Sequence, residues 1–251
     1  MDSTVTGRCD GHGGRRVGHR AWCRCDNLGG RRGSSEVMVT LRTLDLVAVP
    51  EMSPLDIDVA VGAAVALVVP PPTATAVARV VAGLAAPVSG RILVGGRDVT
   101  DLPPLRRRIG YVPAGSALLP HLTVGRNISY GQRRRRGVRE VAEGWAATLV
   151  ERLELTPTLG LRPHQLSEAQ RFRVALARAM ACLPEVLVVD LPAPVDGVQL
   201  PELLDRTSPP DGPGVTVLLC SADEEALAGV DRRVTPADDT PPDPVRSAVR
   251  S

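Results

Sequence analysis

A single carboxylate, Asp190, stands where a binding site is easily built, at the end of the run Glu185–Val189 (EVLVV). A run of that length between turn signals predicts a buried strand. In open α/β sheets, ligands bind beyond the carboxyl ends of the strands. The stretch leading into it, Leu166–Gln170 (LSEAQ), is the second candidate. Ser167 and Gln170 are spaced as a capping box, in which each side chain satisfies a free backbone N–H at a helix start. Phe172, Leu176, Ala179 and Met180 then recur at helical spacing. Leu183-Pro184 ends the helix, because the residue before proline is pushed out of the helical region.

The elements that must position these residues follow from composition and punctuation. At 251 residues the chain matches one α/β domain with a helical insert and can bury a full core. Thirty basic residues stand against 28 acidic ones, a balance that exerts no strong pull on nucleic acid or anionic membrane. Every basic residue is arginine; the chain has no lysine. Five scattered cysteines without a C-x-x-C framework fit a reducing compartment. Cys9, His12, His19, Cys23 and Cys25 match no standard zinc spacing and lie among Gly and Arg, so residues 1–36 read as a disordered extension without a signal-peptide core. Thr235–Ser251, rich in Pro, Asp and Arg, reads as a frayed tail. Val59–Ala78 carries no charge, but its three consecutive prolines rule out a membrane-spanning helix and favour a strand, a turn and a helix.

Val37–Val49 and Leu55–Val61 predict short edge strands, and Ala64–Val69 a buried strand. Ala74–Leu84 predicts an apolar helix, and Val138–Leu155 a helix with Val138, Val141, Trp145, Leu149 and Leu153 on one face. Arg106–Val112 and Val215–Cys220 read as further strands. The run Arg133–Arg136 has no interleaved aromatic side chains on which bases would stack, so it reads as a solvated loop.

LSEAQRFRVALARA, followed by a strand ending in Asp190, resembles the signature sequence and Walker B strand of the ATP-binding cassette (ABC) ATPases, the nucleotide-binding subunits of ABC transporters. SGRILVGGRDVTDLPP at residues 89–104 and LLPHLTVGRN at residues 118–127 extend the likeness, which runs from about Val37 to Arg233. It implies an α/β P-loop NTPase-like core with an antiparallel β edge subdomain and a helical insert at about 118–182. The domain would span 37–234. It also implies ATP and Mg²⁺ as cofactors, a permease subunit and a second cassette as partners, and a place on the inner face of a membrane.

Transferred residue by residue, the resemblance is uneven. The family's phosphate loop reads G-x-x-G-x-G-K-[ST]; here the corresponding VPPPTAT puts Ala74 at the lysine and Thr75 at the Mg²⁺-binding hydroxyl. Such loops work because glycines let backbone N–H groups converge on phosphates and a lysine adds charge. Prolines have no N–H. No aromatic residue between Val37 and Val69 is available to stack on adenine. The glutamine-loop position is Ala114, the position of the water-polarising glutamate is Leu191, and that of the histidine contacting the terminal phosphate is Ala222. Leucine cannot act as a base. Asp196 matches the aspartate of the following loop, while Leu166, Ser167, Glu168, Ala169 and Gln170 keep a recognisable signature that the family presents in trans to a partner's ATP. Thr75 and Asp190 remain as a remnant Mg²⁺ pair.

These residues predict a transporter cassette impaired as an ATPase, acting as the silent half of a cassette pair, with no nucleic-acid role. The alternatives are a conventional importer ATPase, a non-enzymatic binding module that uses the arginine run, or a decaying pseudoenzyme.

Overall fold

The computed structural model describes residues 38–130, 132, 139–208, 214–223, 226–227, 230 and 232–236, with the side chains of 139–143 excepted. The N-terminal stretch with Cys9–Cys25, the run Arg133–Arg136 and most of the C-terminal stretch lie outside these residues. Two sheets carry the architecture. The first is antiparallel, in the order β2-β1-β4-β5, from β1 (Val39–Val47), β2 (Leu55–Ala60), β4 (Ser89–Val94) and β5 (Arg97–Asp98). Leu55, Ile57 and Val59 of β2 point into the core while Asp56 and Asp58 point away from it, the period-2 pattern of a half-buried sheet.

The second sheet is parallel, in the order β6-β7-β8-β3-β9. Its strands are β3 (Ala64–Val68), β6 (Ile109–Val112), β7 (Val186–Asp190), β8 (Thr216–Ser221) and β9 (Arg232–Val234). Every residue of β7 and β8 is buried. Leu187, Val189, Val217 and Leu219 pack into one core cluster, while Val186, Val188, Leu218 and Cys220 pack into the other. Burial on both faces is why these strands read as continuous apolar runs rather than alternating ones.

Helix α1 (Pro71–Val81) packs on β7 and β8. Between β6 and β7 run α3 (Val124–Ser129), α4 (Arg139–Arg152) and α5 (Glu168–Met180). Ser167 caps α5 as expected: its Oγ accepts the Gln170 N–H at 3.2 Å, and Gln170 Oε1 accepts the Ser167 N–H at 3.0 Å. Phe172, Leu176, Ala179 and Met180 are all buried. Leu149 and Leu153 join the same cluster, and Trp145 packs against it with the Arg152 guanidinium 5.6 Å above its ring. Among the described residues, no helix is long and apolar enough to cross a membrane.

The bounds of three elements differ most from expectation. Helix α1 begins at Pro71 rather than Ala74 and ends at Val81 rather than Leu84. The first turn of a helix tolerates proline because its missing N–H is one of the groups left unpaired there. At the other end Gly83 takes φ +79°, outside the helical region. Strand β6 begins at Ile109, because Pro104–Arg107 forms a short helix, α2, that ends in a left-handed Arg108 (φ 57°). The helix expected over Val138–Leu155 spans Arg139–Arg152.

Arg107 explains why Gly83 is required. Its side chain is 3% exposed and donates to the carbonyls of Val80 (2.8 Å), Val81 (3.0 Å), Leu102 (2.8 Å) and Thr100 (2.6 Å). Two of these carbonyls, Val80 and Val81, lie at the C-terminus of α1, where a cation is favoured. Burial pulls the Arg107 pKa down, while the nearby Asp101 and Asp98 oppose the shift. A Cβ on Gly83 would lie 2.5 Å from Arg107 Nε. Gly83→Ala is therefore expected to lower stability by about 2 kcal/mol, combining left-handed strain with displacement of the buried guanidinium. Urea denaturation of the two proteins reads this directly.

Candidate functional site

The carboxyl ends of the parallel strands bring together three of the polar groups that the chain has placed there. Asp190 is 1% exposed at the end of β7. Its Oδ1 accepts the Thr75 hydroxyl at 3.2 Å, and its Oδ2 accepts the Tyr111 hydroxyl at 3.4 Å. Thr75 comes from the first half of α1 and Tyr111 from β6, so the contact joins three separate elements. An acid this deeply buried needs such donors, since an unpaired buried acceptor costs about 1–3 kcal/mol and more when charged. Burial and the Asp190 carboxylate push the Tyr111 hydroxyl pKa well above that of free tyrosine. Tyr111 accordingly remains a donor. Cys220, opposite Asp190 in the β7–β8 pairing, is pushed up for the same two reasons and stays a thiol.

Thr75 and Asp190 form the oxygen pair that suits a hard cation such as Mg²⁺. The sequence pattern alone does not assign Tyr111 to this group. Its signal is the position of an aromatic hydroxyl in RRRIGYV, one residue before the end of a strand adjacent to the one that carries Asp190.

The chain just before Thr75 has no open loop. Strand β3 ends at Val68 and α1 starts at Pro71, so Val69 and Pro70 alone connect them. Pro70 caps the helix without a side-chain hydrogen bond, and Pro71 and Pro72 fill its first two positions. Ala74 N–H is already bonded to the Pro70 carbonyl at 2.9 Å. Of the groups that normally point out of a helix N-terminus, only the Thr73 N–H remains. Ala74 is fully buried in the cluster on the antiparallel side.

The other positions separate into core and surface. Leu191 is 5% exposed, packs into the cluster around α5 and donates its N–H to the Cys220 carbonyl at 3.0 Å. Ala114 is half-buried, while Ala222 and Asp196 are exposed, the latter beside Gly197 in a turn closed by Val198 N–H to Val195 O. In the signature stretch Leu166 is buried, Ser167 and Glu168 are exposed, and Ala169 and Gln170 are half-buried. Among the described residues, no hydrogen bond links this stretch to Thr75, Tyr111 or Asp190.

Beyond Ala114 the backbone turns through three successive left-handed residues, Gly115 (φ 65°), Ser116 (φ 66°) and Ala117 (φ 37°). For the two that carry a Cβ this conformation costs about 1 kcal/mol each.

A Tyr111 titration follows from the site. In a Tyr130→Phe background Tyr111 is the one remaining tyrosine. Its phenolate absorbance is expected only well above pH 10, the ordinary tyrosine value. The neutral form is the one favoured by folding, so its contribution to stability is complete below about pH 10 and is lost as pH rises further. Asp190→Asn removes the adjacent carboxylate and is expected to bring the titration down.

Comparison with known proteins bears on the family and the fold. Residues 55–193 match the family model for ABC transporters. A spermidine/putrescine import ATP-binding protein of Acidothermus cellulolyticus is 42% identical over 118 residues, 47% of this chain and 31% of that protein. A sulfate/thiosulfate import ATP-binding protein of Caulobacter vibrioides is 37% identical over 191 residues, 73% of this chain and 56% of that protein. A molybdate/tungstate import ATP-binding protein of Archaeoglobus fulgidus is 43% identical over 120 residues, 45% of this chain and 47% of that protein. The chain thus spans between about a third and just over half of the length of these relatives. Among solved structures, an ATP-binding cassette in a dimeric post-hydrolysis state with ADP and phosphate superposes with a TM-score of 0.62 at 21% identity, over 78% of this chain and 93% of that one. That likeness establishes the fold, a P-loop NTPase-like α/β core with an antiparallel edge sheet. With the family model covering more than half of its residues, the chain belongs to the ABC transporter family.

Proposed function

We propose that this chain is an ABC import ATP-binding subunit by descent that no longer holds ATP in its own phosphate site, and serves as the silent half of a cassette pair. The observation that carries the reading is the direct passage from β3 into α1 through Val69 and Pro70. A triphosphate is held by converging backbone N–H groups and a lysine. Here two prolines occupy the first helical positions, Ala74 stands buried at the lysine position, and the whole chain lacks lysine. Each lost charge-assisted hydrogen bond removes roughly 1.5–3 kcal/mol, so several together weaken binding by orders of magnitude. The Thr75–Asp190 pair fits a Mg²⁺ ion, but a Mg²⁺–ATP complex also needs the phosphate cradle.

Loss of the catalytic side chains points the same way. Leu191 packs in the core and has no group to orient water. Ala114 and Ala222 supply no side-chain polar atom. The signature stretch, in contrast, keeps its capped geometry at Ser167 and Gln170, with Ser167 and Glu168 open to solvent. It would complete the site of a partner cassette, and residues 118–127 would meet a permease. That pair would sit peripherally on the inner face of the membrane.

Equilibrium binding of a fluorescent ATP analogue with Mg²⁺ tests the first half. No binding up to millimolar concentration is expected, whereas micromolar binding displaced by ATP would overturn it. Turnover by a partner cassette tests the second half. Ser167→Ala is expected to lower the partner's rate by about 10²–10³-fold, the usual effect of one lost stabilising donor; an unchanged rate sinks the trans role. The survival of the Thr75–Asp190 pair favours one other reading, a conventional importer ATPase. Hydrolysis by this chain alone, abolished by Asp190→Asn, would establish it.

A further inference from the structure

We infer that Arg178 is a positioning residue that ties the signature helix to the segment Pro113–Thr123 by clamping its strained turn. Arg178 lies on α5, the helix capped by Ser167. Its guanidinium donates from one terminal nitrogen to the Ser116 carbonyl at 3.1 Å and from the other to the Ala117 carbonyl at 3.0 Å. These are the two side-chain-bearing residues in the left-handed run. In that run the consecutive carbonyls accept from a single planar fork, a geometry for which arginine is suited and a point charge is not. Burial lowers the Arg178 pKa, and among the described residues no carboxylate pairs with it. The carbonyl dipoles of the turn therefore take the place of a counter-ion.

The turn is otherwise weakly held. Ser116 N–H reaches the Pro113 carbonyl at 2.9 Å and Ala117 N–H reaches the Gly115 carbonyl at 2.8 Å, the second closing a ring of only three residues. At the far end the same segment is fixed by Asn127, which is fully buried. Its Oδ1 accepts the Leu119 N–H at 2.8 Å, and its Nδ2 donates to the carbonyls of Leu119, Leu122 and Thr123 at 3.1–3.2 Å. Residues 118–123 have no helix or strand of their own. Within 113–123, Arg178 of α5 holds 116–117 and Asn127 of α3 holds 119–123, where the Leu122 N–H also meets the Leu119 carbonyl at 3.1 Å. Displacement of α5 is therefore transmitted to Ser116 and Ala117 through Arg178 without passing along the intervening chain.

What the two surfaces meet, a partner cassette and a permease, rests on the reading proposed above; the clamp itself does not. The test accordingly uses the chain alone. Amide hydrogen exchange and backbone carbon chemical shifts are measured for the native chain, Arg178→Ala, and Arg178→Ala combined with Ala117→Gly. Arg178→Ala is expected to raise exchange at Ser116 and Leu119 at least tenfold and to remove the left-handed shift signature at Ala117. The amides of β7 and β8 should stay protected. Glycine adopts the left-handed region without a Cβ penalty, so Ala117→Gly in that background is expected to recover at least threefold of the lost protection. A merely space-filling Arg178 would show no such rescue. Unchanged exchange and shifts in Arg178→Ala, or loss of protection with no rescue by Ala117→Gly, would overturn the inference. If Arg178→Ala does not fold, Arg178→Lys is read by the same two criteria. A negative result here leaves the Ser167→Ala experiment untouched, so the two ideas fail separately.

Discussion

A carboxylate buried at the end of a fully covered parallel strand is the constraint around which this molecule is arranged. Asp190 cannot remain there without donors, and the fold supplies them from two directions, Thr75 on α1 and Tyr111 on β6. The contact thereby links α1 and β6 to β7 at the carboxyl end of the parallel sheet. Thr75, Tyr111 and Asp190 thus form one hydrogen-bonded unit within the protein.

The prolines act on the same corner in the opposite sense. In a phosphate loop, glycines keep the backbone away from helix so that N–H groups can turn toward a ligand. Pro70, Pro71 and Pro72 instead favour the φ of a helix start and contribute no N–H. The strand passes almost directly into α1, whose buried face of Ala74, Val77, Ala78, Val80 and Val81 still seats it on the sheet. Packing of α1 depends on apolar side chains, whereas a phosphate cradle depends on backbone donors that prolines lack. Leu191 likewise packs into the core.

In a chain without lysine, arginines donate to backbone carbonyls at turns and helix ends. Arg107 serves the end of α1 and the turn before α2, and Arg178 serves the left-handed run after β6. Both present several donors from one rigid plane, so a single side chain holds backbone segments that are distant in sequence. Each is desolvated and donates to backbone carbonyls, with Asp101 and Asp98 opposing the effect of burial at Arg107. The helical region and the sheet are thereby connected at points where no secondary structure runs between them.

The sequence by itself determined the strands, the main helices and the family. Each of these rests on local pattern: the apolar run Val186–Val189, the capping box at Ser167 and Gln170, and the periodic face of α5. It also carries the residue types Ala74, Ala114, Leu191 and Ala222, from which the proposed loss of catalytic groups is read. The tertiary structure alone decided the start of α1, because three prolines read equally as a loop or as a helix entry until the strand before them is placed. It alone brought Tyr111 to Asp190, 79 positions apart in the chain. It alone revealed the clamp of Arg178 on Ser116 and Ala117, because a left-handed φ at alanine has no local signal. Such contacts depend on which elements come to lie side by side, and that is settled by burial of both faces of the sheet rather than by any short stretch of residues.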